Sequence, residues 1–84
     1  MKKQELIQLI NDLKNGYGKR RLHNLSNVDF FTLAWHFQKQ GMDFQGEVQV
    51  FFTIIHGEND RRKIKYGDDY LEGMSPKWEK EDLR

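Results

Sequence analysis

The sequence contains no cysteine in 84 residues, so neither a disulfide nor a thiolate-bound metal supports the fold. A chain of this length must gain its stability from one packed core, which requires enough large apolar side chains. Six Phe, three Tyr and two Trp residues supply them. Because 32% of the residues are charged and only 37% are hydrophobic, the surface should be polar. We therefore expect a single globular domain over residues 1–84.

Residues 4–15 have the spacing of an amphipathic helix. Their apolar side chains recur at steps of three and four residues and share one side of a helical wheel. These side chains and the tyrosine that continues their stripe are Leu6, Leu9, Ile10, Leu13 and Tyr17. Gly16 and Gly18 follow the segment, and glycine commonly ends a helix in the left-handed conformation. The pattern therefore predicts a helix that ends just before Gly16.

A second helix is predicted over residues 27–40. Ser26 is a favourable N-cap, Asp29 occupies the third helical position, and Gly41 follows the last turn. This helix is apolar around most of its circumference, which is typical of a helix at the centre of a fold. The core is expected around Leu9, Leu13, Phe31, Trp35, Phe51 and Phe52.

The segment 43–56 is compatible with either a helix or a strand. A helix accounts for apolar residues at steps of three and four, with Gly57 just beyond its end. A strand accounts for the dense β-branched and aromatic run 48–55, followed by a hairpin turn. We favour the helix, because adjacent apolar pairs such as Phe51-Phe52 break the alternation that a strand requires.

The rest of the chain is predicted to be irregular except at its end. Three glycines and several acidic residues over 57–74 indicate a loop, and Ser75-Pro76 indicates the start of a short C-terminal helix anchored by Trp78. The expected fold class is mainly α, with three principal helices, an irregular segment and this short helix. An α+β fold with a hairpin at 47–66 is the alternative.

The net charge is only +1, but it is unevenly distributed. Residues 1–41 carry seven basic and three acidic groups, and residues 42–84 carry seven basic and ten acidic groups. The first residues lack the continuous apolar region of a signal peptide, and no apolar run has the length of a membrane span. We expect a cytoplasmic protein with no membrane partner, whose two halves attract partners of opposite charge.

The sequence offers no recognisable catalytic or metal-binding pattern. His23, His36 and His56 are 13 and 20 residues apart, which matches no metal-ligand spacing. Nucleophilic catalysis requires a hydroxyl aligned with a base, and the few Ser and Thr residues offer no such arrangement. We therefore expect no enzymatic activity, no cofactor and no metal. A hydrolase or metal site around His56, Glu58 and Asp60 is retained as a third hypothesis.

Two basic runs are the strongest functional signal. Each lies in a predicted connector, and together they would form a patch of seven positive charges suited to phosphates. The candidate nucleic-acid-binding residues are Lys19, Arg20, Arg21, Arg61, Arg62, Lys63 and Lys65. The alternative interpretation is that these side chains are solvated and neutralised by neighbouring carboxylates.

The segment 57–78 combines carboxylates with apolar residue types that anchor protein interfaces. The candidate protein-binding residues are Asp68, Asp69, Tyr70, Leu71 and Trp78. The leading hypothesis is a small non-enzymatic regulatory protein that binds and modulates or inhibits another protein through charged loops. A nucleic-acid-binding module is the alternative. Self-association into a homodimer is also considered, through Phe44, Val50 and Ile54.

Overall fold

The computed structural model describes residues 2–40 and 48–81, and over these ranges it is helical with no strand. Its helices are α1 (Lys3–Lys14), α2 (Lys19–His23), α3 (Asn27–Gln40) and α4 (Val48–Tyr66). Residues 67–81 form turns and irregular chain. The mainly helical class is confirmed, and the hairpin alternative is wrong because α4 occupies its segment from Val48 onward. In the part of the chain that the structure describes, no helix has the length and apolar character needed to span a bilayer.

The turn between α1 and α2 depends on Gly18. Its φ is +94°, and a Cβ at this position would lie 2.8 Å from Leu9 Cδ1, so glycine is required by conformation and by space. This close approach lets α2 pack directly against α1. The prediction that the first basic run lies in a connector is wrong, because residues 19–21 form the first turn of α2.

The start of α3 agrees with the sequence prediction. The Ser26 hydroxyl accepts a hydrogen bond from the Asp29 backbone N–H at 3.3 Å and donates to Asp29 Oδ2 at 3.0 Å. Two groups of the first turn are thereby fixed by one capping side chain. The helix then runs to Gln40, as its apolar pattern indicates.

Helix α4 extends well past the predicted boundary, and Gly57 lies in its middle. The helix ends at Tyr66, where Gly67 adopts a φ of +104°. The prediction of a loop over 57–66 is therefore wrong. An internal glycine costs a helix only about 1 kcal/mol, and the burial of one face of α4 along its length outweighs that cost. The predicted residues 43–47 of this helix lie outside the described part of the chain.

The core is displaced from the predicted one. Leu9, Leu13 and Phe51 are buried, but Phe31 and Trp35 are half-buried and Phe52 is 48% exposed. The reason is that α4 also buries Glu58 and Arg62, two and three turns beyond Phe51, which rotates its buried arc away from Phe52. The buried apolar core consists of Leu6, Leu9, Ile10, Leu13, Leu22, Leu25, Phe30, Leu33, Phe37, Phe51 and Ile55.

The predicted C-terminal helix is replaced by a turn over residues 77–80. The backbone N–H of Lys77 donates to Thr32 Oγ1 at 3.0 Å, and its carbonyl accepts from His36 Nε2 at 2.9 Å. The next residue, Trp78, has a φ of +53°, which no right-handed helix allows. The Lys77 carbonyl, which in a helix beginning at Pro76 would accept from the Glu81 N–H, is thus taken by a side chain of α3, and the Glu81 N–H donates to the Trp78 carbonyl at 2.9 Å instead.

Candidate functional site

A cleft of about 190 Å³ lies between α3 and α4. The two helices are antiparallel: the rings of Phe37, late in α3, and Phe51, early in α4, are 4.4 Å apart. At the other end of the pair, the Arg62 guanidinium carbon lies 4.7 Å from the Phe30 ring centre. The cleft is lined from α3 by Phe31, Ala34 and Trp35 and from α4 by Phe52, His56 and Asn59.

Phe52 gives the cleft its apolar surface. Its ring centre lies 6.4 Å from that of Phe37 and 4.2 Å from that of His56, so the three rings form a continuous face. The side chain of Phe52 is nevertheless 48% exposed. Contiguous exposed apolar surface with a polar rim is typical of an interaction site.

The turn over residues 67–73 closes one end of the cleft. Leu71 contributes to the lining, and the Tyr70 hydroxyl donates a hydrogen bond to Asn59 Oδ1 at 2.6 Å. Burial raises the pKa of Tyr70, so its hydroxyl remains a donor over the physiological range. Asp68 and Asp69 are exposed on the same turn. The structure therefore places four of the five predicted protein-binding residues at this end of the cleft.

The fifth predicted residue, Trp78, is half-buried against the core on a different side of α3. The segment before it is held by a polar cluster of Asp29, Thr32 and His36, all buried in α3. Lys77 Nζ donates to Asp29 Oδ1 at 2.8 Å. Burial opposes ionisation of Asp29, but hydrogen bonds from Lys77 and the helix-capping serine outweigh it and hold the Asp29 pKa below its ordinary value. This cluster serves the fold by fixing the C-terminal segment.

Arg62 cannot contact a phosphate, because its side chain is only 3% exposed. Nε donates to Glu58 Oε1 at 2.9 Å, and Nη1 donates to Asn27 Oδ1 at 2.7 Å. Nη2 donates to the carbonyls of Leu22 and Leu25 at 3.1 and 2.8 Å. The planar guanidinium thus ties α4 to the end of α2 and the start of α3. Arg62 therefore does not belong to the predicted nucleic-acid-binding surface.

The carboxylate of Glu58 is fully buried, and three basic side chains supply its hydrogen bonds. It accepts from Arg61 at 3.0 and 3.3 Å, from Arg62, and from His23 Nδ1. Burial opposes ionisation, but the hydrogen bonds from Arg61, His23 and Arg62 outweigh it, so the pKa of Glu58 lies below its ordinary value. Glu58 is a structural anion.

The hypothetical hydrolase or metal site is not assembled. The His56 ring packs against Phe52 in the cleft at a tilt of 57°, whereas Glu58 is turned into the core and Asp60 is exposed. Over residues 2–40 and 48–81, no group of three His, Cys, Asp or Glu side chains could hold a metal ion.

The two basic runs lie on neighbouring helices. Arg61 Nη2 is 3.4 Å from the His23 carbonyl, and Lys19 lines a shallow depression together with Val50 and Ile54 of α4. Lys19 and Arg20 are exposed. The structure thus brings the first run alongside α4.

Ion pairs reduce the charge of this basic surface. Arg21 pairs with Asp12, whose pKa is lowered by hydrogen bonds from Arg21 and Gln8. Arg61 pairs with Glu58 and is about half exposed. The exposed side chains of Lys63 and Lys65 follow in the last two turns of α4. The interpretation that neighbouring carboxylates neutralise the runs therefore describes Arg21, Arg61 and Arg62 better than the lysines.

Of the residues considered for self-association, Val50 is 51% exposed and Ile54 is half-buried, while Phe44 lies outside the described residues. Sequence reasoning also missed Phe52 as a surface residue. The sequence signal that could identify it is the Glu58/Arg62 pair, which is spaced one helical turn apart. If the helix continues through Gly57 and this pair faces the core, Phe52 lies outside the buried face of α4.

Comparison of the chain with protein families, with curated proteins and with solved structures gave no match.

Proposed function

We propose that this chain is a small non-enzymatic protein that binds and regulates another protein by taking an apolar side chain of its partner into the α3–α4 cleft. The observation that carries the proposal is the half-exposed ring of Phe52 beside a preformed aromatic cleft. A groove between two antiparallel helices accommodates a third helix, so the occupant is a helical segment with one large apolar anchor.

The size of the cleft favours an anchor side chain over a cofactor. A cavity of about 150 Å³ is enough to hold benzene, so the cleft of about 190 Å³ accepts one large side chain. Pockets for drug-sized ligands measure about 300–1,000 Å³. Burying one such side chain contributes only about 1.5–3 kcal/mol, so further contacts around the cleft must add to the affinity.

Site-directed photo-crosslinking in extracts of the native cells tests this proposal. A photoreactive phenylalanine analogue replaces Phe52 in one version of the chain and Ile64 in another. Ile64 is the matched control, since it is 88% exposed but lies about 120° away around α4. A discrete protein adduct from position 52 alone is the expected result. The purified partner should then bind the Phe52→Ala variant at least tenfold more weakly than the wild-type chain and the Ile64→Ala variant with unchanged affinity.

Two results contradict the proposal. One is the same set of adducts from positions 52 and 64, which indicates that crosslinking reflects random encounters and not binding in the cleft. The other is an adduct whose purified protein binds wild-type and Phe52→Ala chains equally.

A nucleic-acid-binding module is the second candidate function. It is favoured by the placement of the first basic run alongside α4, with Lys19, Arg20 and Lys65 exposed. Such exposed cations suit the phosphate backbone of single- or double-stranded nucleic acid. The ion pairs of Arg21 and Arg61 limit the charge, so this candidate ranks below the cleft.

Fluorescence anisotropy of labelled DNA and RNA at two salt concentrations tests the second candidate. The Lys19→Glu/Arg20→Glu variant should lose binding and salt dependence, while Lys2→Glu/Lys80→Glu, with the same change in net charge, should retain both. Equal losses in the two variants, or no binding of the wild-type chain at low salt, exclude a site at α2.

A further inference from the structure

We propose that the occupant of the α3–α4 cleft is a basic amphipathic helix, with its apolar anchor beside Phe52 and Lys or Arg residues about two turns away. This inference rests on the proposed function and specifies the partner's chemistry. It is carried by the juxtaposition of an apolar cleft with an acidic turn at one end.

The acidic turn carries three exposed carboxylates, those of Asp68, Asp69 and Glu72. Over residues 2–40 and 48–81, no ion pair or side-chain hydrogen bond engages them. The carboxylates of Asp12 and Glu58, by contrast, are neutralised within the chain. The charge of the acidic turn is therefore left for a partner, and a cation is the complement that it attracts.

The acidic turn is held in place relative to the cleft. The Tyr70 hydroxyl is bonded to Asn59 in α4, and Leu71 enters the lining. The Glu72 N–H donates to the Asp69 carbonyl at 3.0 Å, which fixes the turn itself. Because the backbone that carries the carboxylates is fixed before binding, no backbone entropy of the turn is lost when cations approach them.

The geometry also sets the spacing within the occupant. Phe52 and Asn59 are seven residues apart on α4, which corresponds to about 10 Å along the helix. An occupant helix running beside α4 therefore needs its anchor and its first cation about seven residues apart. Lys63 is exposed one turn beyond Asn59 on α4, so its positive charge should weaken the attraction of a basic occupant to this end of the cleft.

A phage-displayed library of random peptides, selected on the intact chain, tests the inference. Peptides that bind wild-type chain and lose binding to Phe52→Ala should share a large apolar residue with Lys or Arg about two turns away. Synthetic versions of these peptides are then measured by anisotropy at low and high salt. The Asp68→Asn/Asp69→Asn/Glu72→Gln variant should bind about five- to tenfold more weakly at low salt, with a flattened salt dependence. Lys63→Glu should bind the same peptides more tightly.

The outcomes separate the two proposals. The proposal of a basic occupant is contradicted if the selected peptides depend on Phe52 but lack basic residues. It is also contradicted if they bind the variant with the neutralised turn as tightly as wild type. Either result still supports the cleft as the binding site. A selection that yields no peptide sensitive to Phe52→Ala contradicts the cleft itself. Neutralisation of Glu5 and Glu79, two exposed carboxylates outside the acidic turn, should leave peptide binding unchanged. If it weakens binding equally, the attraction is to net charge and the acidic turn is not the site.

Discussion

Arg62 and Glu58 form a buried ion pair, with Nε and Oε1 2.9 Å apart and side-chain exposures of only 3% and 0%. Removing two charges from water is costly, and the cost is offset only when their remaining hydrogen-bonding groups are satisfied. Here Arg62 also binds backbone carbonyls at the end of α2 and just beyond it, and Glu58 also binds Arg61 and His23. The pair therefore fixes how α4 is rotated, and with it which aromatic side chains of α4 reach the cleft.

Arg62→Lys is expected to destabilise the chain by about 1–3 kcal/mol. Lysine keeps the positive charge but has no planar fork, so it cannot bind Glu58, Asn27 and the α2 carbonyls together. Urea unfolding followed by circular dichroism measures the loss. Arg20→Lys is the matched control, because Arg20 is exposed and its substitution should stay within about 0.5 kcal/mol. Equal effects of the two substitutions would mean that the geometry of Arg62 contributes nothing.

Acid should destabilise the chain through Glu58. Because its pKa is lower in the folded chain than in the unfolded one, the unfolded chain takes up its proton at higher pH. The stabilisation is thus fully present well above the ordinary glutamate pKa of about 4.3 and is lost as the pH falls through and below it. Asp12 and Asp29 act in the same direction.

Glu58→Gln isolates this contribution. The variant should be less stable at pH 7 by about 3–5 kcal/mol, and its stability should fall less steeply between pH 6 and 3. Urea unfolding at a series of pH values gives both quantities. Glu72→Gln, at an exposed carboxylate of the acidic turn, should leave the wild-type profile unchanged. Parallel profiles for wild type and Glu58→Gln would show that Glu58 is not the group that titrates.

Much of the helical framework was predictable, because local signals decide it. The Ser26 cap, the apolar stripe from Leu6 to Leu13 and the glycine just beyond α1 each act within a few residues in sequence, and each is found as predicted, with Gly16 at a φ of +84°. Gly57 misled the sequence reading for the opposite reason. The helix continues past Gly57 because Glu58 and Arg62 bind groups on distant segments of the chain. The spacing of apolar residues in the sequence does not reveal those contacts.

The candidate site was predictable only in part. The composition of 68–71 pointed to Asp68 and Asp69, since carboxylates beside Tyr and Leu are visible in the sequence, whereas the absence of a partner for them among the described residues is seen only in the structure. The cleft was not foreseen, because whether Phe52 points inward or outward depends on the phase of a helix whose predicted end lies ten residues too early.

Thr32→Val should release the C-terminal segment from α3. The hydroxyl accepts from the Lys77 N–H at 3.0 Å and donates to the Val28 carbonyl at 2.8 Å, and a methyl group of similar size can do neither. The expected loss of stability is about 1–3 kcal/mol. Amide hydrogen exchange should accelerate at residues 77–81 while the core of α1 stays protected. Thr53→Val, at an exposed position of α4, is the control. Unchanged exchange at Lys77 would mean that the hydroxyl does not hold the segment.

Alanine substitutions should show that glycine is needed at position 18 but only lowers the stability of the helix at position 57. Gly57 lies inside α4, and a Cβ there would meet nothing within 4 Å. Gly57→Ala should therefore stabilise the chain by about 0.5–1 kcal/mol, since alanine restricts the unfolded state and favours the helix. Gly18→Ala should instead destabilise it by more than about 1 kcal/mol, because its left-handed φ and the Leu9 contact at 2.8 Å both exclude a methyl group. Urea unfolding of the two variants gives the signs, and a destabilising Gly57→Ala would contradict an uninterrupted α4.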